Sequence, residues 1–207
     1  MTDSDFIKQI IELYQKARLT TYQIENIKRC KNRSISGFAE DLFAFYISGQ
    51  VDKKNLILIE PEIYFKRHNK TKKICPDISI SVNNEIKQLW DLKMDLGFKR
   101  DNFIKFCEDK DVLIKELRSN YAKINGENFV FSDKLTFNIV IVSDKNISKS
   151  KSKQNVDELK NIENVNIFYL TSGKHPNNKD IPAYKLPEAI NATSDFEKLR
   201  QIIINLA

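Results

Sequence analysis

The chain is poor in the residues that build disulfide frameworks and metal–thiolate sites. It has three cysteines, Cys30, Cys75 and Cys107, with no close pair and no CxxC. That argues against a zinc ribbon or a disulfide scaffold and predicts free thiols in a reducing cytoplasm, with Cys75 and Cys107 in the core. There are two histidines, His68 and His175, too far apart in sequence for a zinc motif. No apolar run approaches the roughly 18 residues a membrane span needs. The opening MTDSDFIKQ is polar and acidic, unlike a signal peptide. A cytoplasmic protein with no membrane partner is expected.

What is present fits a folded domain. The 207 residues are 41% hydrophobic and 30% charged, enough for one domain with a real core. Lys and Arg outnumber Asp and Glu by 34 to 28, a net charge of +6, which favours an anionic partner such as nucleic acid. The same surplus also arises from a composition rich in Lys and Asn.

Apolar spacing predicts a helix over residues 4 to 18, a short helix over TYQIENIKRC, and a helix from Ser36 or Gly37 that is apolar almost all round from Leu42 to Ile47 and therefore buried. Strand-like stretches follow: LILIE, EIYFKR, ICPDISISV and IKQLWDLKM. An amphipathic helix is expected from Asp101 to about Ile124, with Asp101 as its cap. Strands follow at 136 to 142 and 165 to 170, a short helix in VDELKNI between them, and a closing helix in SDFEKLRQIIINLA. This order describes an α/β domain: a mixed sheet with helices on both faces. Residues 34 to 143 form its core, 1 to 33 a helical extension, and 144 to 207 complete the sheet.

The most informative stretch is KICPDISISVNNEIKQLWDLKMD, residues 73 to 95. Side chains alternate across a strand. In the second strand Ile86, Trp90, Leu92 and Met94 share one face, while Asp91 and Lys93 share the other. A two-residue turn at Asn83-Asn84 would set Ile78 against Leu89 and split the apolar set. Register follows the hydrophobic pattern, so a three-residue loop, Asn83-Asn84-Glu85, is expected. It pairs Ile78 with Trp90 and Asp77 with Asp91. Opposed carboxylates repel, and hard oxygen ligands at that spacing suit Mg²⁺. The alternative is an exposed sheet face with Asp91 paired to Lys93 or Lys87. Glu40 shares a helical stripe with Phe43, Ala44 and Ile47, a costly place for an acid without a partner. It reads as a third ligand or as an exposed helix end.

These residues resemble the PD-(D/E)xK nuclease superfamily, which has the restriction-endonuclease-like fold. Pro76-Asp77 matches PD, Asp91-Leu92-Lys93 matches (D/E)xK, and Glu40 stands where the upstream helical acid often lies. The likeness covers about residues 34 to 143. It implies Mg²⁺-dependent phosphodiester hydrolysis, with Mn²⁺ as a substitute, leaving 5′-phosphates. Asp77, Asp91, the Leu92 carbonyl and Glu40 would hold the metal, and Lys93 would serve the scissile phosphate and the attacking water. A type II restriction endonuclease fits the chain length: a homodimer that cuts a short sequence in double-stranded DNA, with a cognate methyltransferase encoded nearby. A structure-specific nuclease resembling Holliday-junction resolvases, or a DNA-binding protein that kept the fold, are the alternatives.

Further basic residues are candidate phosphate contacts. In FKRHNKTKK, expected as a turn, they are Lys66, Arg67, Lys70, Lys72 and Lys73. After the motif they are Lys99 and Arg100, beyond Gly97, whose presence suggests an unusual backbone angle. Asp95 reads as a helper acid or a turn residue. SKSKSK, 148 to 153, reads as a solvated loop or a segment that orders on DNA.

Overall fold

One long strand organises the molecule. In this computed structural model, which describes residues 1–18, 34–97, 101–160 and 162–206, the chain runs as follows. Helices α1 (Asp3–Arg18) and α2 (Ser36–Ser48) precede strands β1 (Leu56–Ile59), β2 (Ile63–Arg67), β3 (Lys70–Ile74), β4 (Ile78–Val82) and β5 (Glu85–Lys93). Then come α3 (Phe103–Leu117), β6 (Tyr121–Ile124), β7 (Glu127–Ser143), α4 (Lys149–Leu159), β8 (Val165–Gly173), β9 (Ile190–Ala192) and α5 (Asp195–Ile204). The 17-residue β7 pairs in parallel with β5 along one side. On its other side the first part pairs antiparallel with β6 and the later part in parallel with β8. The nine strands thus form one mixed sheet, ordered β1-β4-β5-β7-β6-β2-β3, with β8 and β9 branching from β7.

Two apolar cores lie on the two faces. One gathers Phe6, Ile10, Phe43, Tyr46, Trp90, Phe168 and Phe196 beneath α1, α2 and α5. The other gathers Phe65, Leu89, Phe103, Cys107, Ile114, Phe131 and Phe137 beneath α3. The α1 side chains are integral to the first core. Trp90, fully buried, meets Phe43 at 5.9 Å and Phe168 at 6.2 Å between ring centroids. The expected mixed α/β sheet flanked by helices is therefore present.

Several sequence expectations are corrected. The helix expected to reach Ile124 stops at Leu117. Arg118 turns extended (φ −50°, ψ 137°), and residues 121–124 form β6, hairpinned to β7 through Asn125-Gly126. Asn-Gly between alternating residues is a strong hairpin signal. The turn expected in FKRHNKTKK is confined to His68-Asn69, both at positive φ, and the residues on either side belong to the paired strands β2 and β3. Ser148 caps α4 by accepting from the Lys151 amide, so the Lys/Ser stretch is helical and not a loop. The α2 helix is not buried all round, since Phe45 is 64% exposed. No side-chain cap bond is made at Ile35 or Asn102, the residues that flank α2 and α3. Cys75 is exposed, whereas Cys107 is buried. Gly97 does not adopt positive φ; a Cβ there would meet Asp95 Oδ1 at 2.8 Å. The short helix expected in TYQIENIKRC, Cys30, Lys99 and Arg100 lie outside the described residues. Among the described residues no helix is long and apolar enough to cross a membrane.

Candidate active site

The β4–β5 hairpin reaches the expected pairing by an unexpected route. Its turn has two residues, Asn83-Asn84, with φ of 51° and 61°, and Val82 pairs with Glu85. Both residues sit in the left-handed region that a type I′ turn needs and that Asn tolerates. The three-residue loop is therefore wrong. The apolar mismatch it was meant to avoid is removed by a β-bulge. Ser81 pairs with Ile86 and Ile80 with Gln88, so Lys87 is an extra residue on β5. A bulge shifts the alternation by one. Beyond it Ser79 pairs with Leu89 and Ile78 with Trp90, as the apolar pattern required. Ile86 consequently joins Leu89 in the second core, while Ile78, Ile80 and Trp90 join the first.

With Ile78 across from Trp90, Asp77 and Asp91 come together on one face. Asp77 Oδ2 accepts from the Leu92 amide at 2.6 Å. The Lys93 Nζ lies 2.6 Å from Asp91 Oδ1 and 3.8 Å from Asp77 Oδ2. Asp91 is buried, so the exposed-face alternative does not hold, although the Lys93 pairing it invoked is present. Burial, and next the charge of Asp91 and a hydrogen bond with it, push the Asp77 carboxyl up from 3.8 to about 7; Lys93 and the Leu92 amide only partly oppose this. Neighbouring carboxylates that cannot both ionise freely are a recurring feature of functional sites.

Glu40 lies on the buried stripe of α2 with Phe43, Ala44 and Ile47, and Oε2 is buried with no hydrogen-bond partner. Burial raises its pKa first, followed by the charges of Glu60 and Asp91, while Lys93 lowers it. Glu40 thus shares the electrostatic field of the Asp77–Asp91–Lys93 group. Glu60 is an acid the sequence reading passed over. It follows β1 and donates its backbone amide to the Asp77 carbonyl at 2.7 Å. Its signal was an acid ending the apolar run LILIE.

The donor set fits a hard divalent cation in part. Two carboxylates on adjacent strands, completed by water and phosphate oxygens, match the usual Mg²⁺ set. An orphaned buried oxygen on Glu40 is consistent with a further ligand nearby. However, among the described residues no three His, Cys, Asp or Glu side chains lie close enough to cage an ion by themselves. Glu40 is therefore not drawn into one cluster with the two aspartates.

Asp95 belongs to a separate polar knot. Its Oδ1 accepts from the Gly97 amide at 2.7 Å, and its Oδ2 from Asn146 Nδ2 at 2.9 Å. His175 Nε2 lies 3.1 Å from Oδ2, and His175 Nδ1 accepts from the Asn177 amide, so the neutral ring carries its proton on Nε2. The His175 hydrogen bond is the first cause holding the Asp95 carboxyl below its ordinary range. This supports Asp95 as a turn residue.

The basic run is divided between two faces. Lys66 and Lys73 flank the Tyr64 side of β2 and β3, whereas Arg67, Lys70 and Lys72 take the opposite parity. Arg67 is tied to Glu116 of α3 at 2.6 Å, and Lys73 to Glu62 at 2.6 Å.

No family model, curated protein or solved structure matches this chain.

Proposed function

We propose that this chain is a metal-dependent deoxyribonuclease of the PD-(D/E)xK type, which hydrolyses DNA phosphodiester bonds to leave 5′-phosphates. The observation that carries the proposal is the convergence of Asp77, Asp91 and Lys93 across one strand pair, with the Asp77 carboxyl held near neutrality by burial and by Asp91.

Asp77, Asp91 and the Leu92 carbonyl would hold Mg²⁺, and Glu40, set apart from the two aspartates, would act through a bridging water. A bound divalent cation supplies a water of lowered pKa and neutralises charge on the phosphate. Asp77 and Asp91, whose mutual repulsion helps raise the Asp77 carboxyl, would both be held as carboxylates by such a cation. The Lys93 ammonium, now on Asp91 Oδ1, is placed to turn to a phosphate oxygen and stabilise the charge that builds there. The +6 charge favours a polyanionic substrate.

Incubation of supercoiled plasmid with the protein and Mg²⁺ or Mn²⁺ tests the reading. We expect nicking or linearisation that is lost in Asp77→Ala and Lys93→Ala. Discrete bands mark a type II restriction endonuclease acting as a homodimer. Cutting confined to branched or unpaired DNA marks a structure-specific enzyme. No cleavage with either ion removes the catalytic assignment.

A further inference from the structure

Beyond the helices that roof the first core, β3, β2, β6 and the start of β7 leave one sheet face bare. Phe65, Ala122 and Phe129 turn into the second core. Their neighbours along each strand must therefore turn outward. Tyr64 pairs with Lys73 on one side and Lys123 on the other, and Lys123 pairs with Asn128. Lys66 pairs with Thr71, and one step past the β2–β6 pairing it comes level with Tyr121. Tyrosine and lysine thus alternate along and across the strands. Tyr121 is 82% exposed and Tyr64 40%. Both line a groove of about 350 Å³ with Lys66, Thr71, Lys123 and Asn128.

We infer that this face binds single-stranded DNA, with Tyr64 and Tyr121 stacking two bases while Lys66 and Lys123 hold the phosphates. Diagonal neighbours on adjacent antiparallel strands lie about 7–8 Å apart, so two rings stand within reach of one strand. Glu62 accepts from the Tyr64 hydroxyl at 2.6 Å and also holds Lys73, which fixes that ring before a ligand arrives. Aromatic side chains on an open sheet, set among cations, are how single strands are bound in general. Duplex bases are already stacked on each other and offer no free face. A protein partner fits poorly, because lysine is depleted in protein interfaces and this face carries Lys66, Lys73 and Lys123 against Glu62. The inference rests on the nuclease reading for the choice of DNA, and directs that activity to substrates with unpaired bases.

The test is fluorescence anisotropy of the full chain with a labelled oligothymidylate of about a dozen nucleotides, in EDTA, beside a duplex of equal length. Tyr64→Ala and Tyr121→Ala should each weaken single-strand binding about tenfold and leave duplex binding unchanged, and Tyr121→Phe should bind as the wild type does. Lys66→Ala and Lys123→Ala should each lower the slope of log K against log salt by about 0.7. The inference is overturned if Tyr121→Ala binds the oligonucleotide normally, or if duplex binding falls by the same factor. It is also overturned if sedimentation shows a dimer that Tyr121→Ala dissociates without loss of oligonucleotide binding. Tyrosine-dependent binding without cleavage would sink the nuclease reading and leave this one standing. Cleavage with tyrosine-independent binding does the reverse.

Discussion

Asp77→Asn should make the metal-free protein more stable, and only above mid-acidic pH. The side chain is mostly buried against Asp91, and its carboxyl titrates near 7 when folded and near 3.8 in an ordinary setting. At low pH both folded and unfolded chains hold the proton. Between about 3.8 and 7 the folded chain keeps it while the unfolded chain releases it, so wild-type stability falls as pH rises. Above 7 the loss is complete. At about 1.36 kcal/mol per pH unit, its ceiling is about 4 kcal/mol. Asparagine carries no charge and still offers an oxygen to the Leu92 amide, so it escapes the decline. The difference between variant and wild type should grow from near zero at about pH 3, through about 1 kcal/mol at about pH 4.5, to about 4 kcal/mol at about pH 8. For a chain of this size that is a rise of about 10 °C in Tm. Urea unfolding in EDTA across that range measures it directly. A difference that stays flat with pH, or an asparagine variant that is less stable throughout, would refute the reasoning.

Four further outcomes are expected. Lys93→Ala should lower plasmid cleavage at least a hundredfold, at matched folded protein judged by circular dichroism. Glu40→Gln should flatten the fall in stability that the raised Glu40 pKa imposes as pH rises above its ordinary 4.5, read from urea midpoints at pH 5 and 8. Asn84→Gly should stabilise by about 1 kcal/mol, because a left-handed φ of 61° costs asparagine what it does not cost glycine; thermal unfolding reports it. Deleting Lys87 should leave the fold standing with a regular hairpin, since Ile86, Gln88, Leu89 and Trp90 then alternate as their pairing with Ser81, Ile80, Ser79 and Ile78 requires, visible as retained cooperative unfolding.

The elements carried by strong periodicity were legible in the sequence: α1, α2, β5, β8 and α5 lie within a few residues of where the apolar spacing puts them. What failed were the places where a turn competes with a pattern. Helical spacing ran on past Leu117 although Asn125-Gly126 marked a hairpin just beyond. The β3 strand was lost because its exposed, lysine-rich face shows no apolar alternation. The site shows the same division. That Ile78 must oppose Trp90 could be read from side-chain volume and polarity. The route to it could not, because a bulge at Lys87 and a different loop length satisfy the same constraint. His175 meets Asp95 from 80 residues away, a contact no local pattern contains.

The length of β7 has a consequence of its own. Its first residues pair with β6, which carries Tyr121, and residues further along pair with β5 at Asp91 and Lys93. Two strand spacings across the sheet, β6 to β7 to β5, and about six residues along β5 separate Tyr121 from Asp91, about 22 Å in all. Both ends hang on the same strand, whose pairing with β5 steps from Phe131 to Thr136 between Ile86 and Gln88. Tyr121 and Asp91 also lie on opposite faces of the sheet, since Ala122 turns into the second core while Trp90 and Leu92 turn into the first. On the proposed readings a strand held at the tyrosines would pass round the sheet to reach the carboxylates, and a fixed offset would show as a single cleavage spacing on substrates with a defined single-stranded gap.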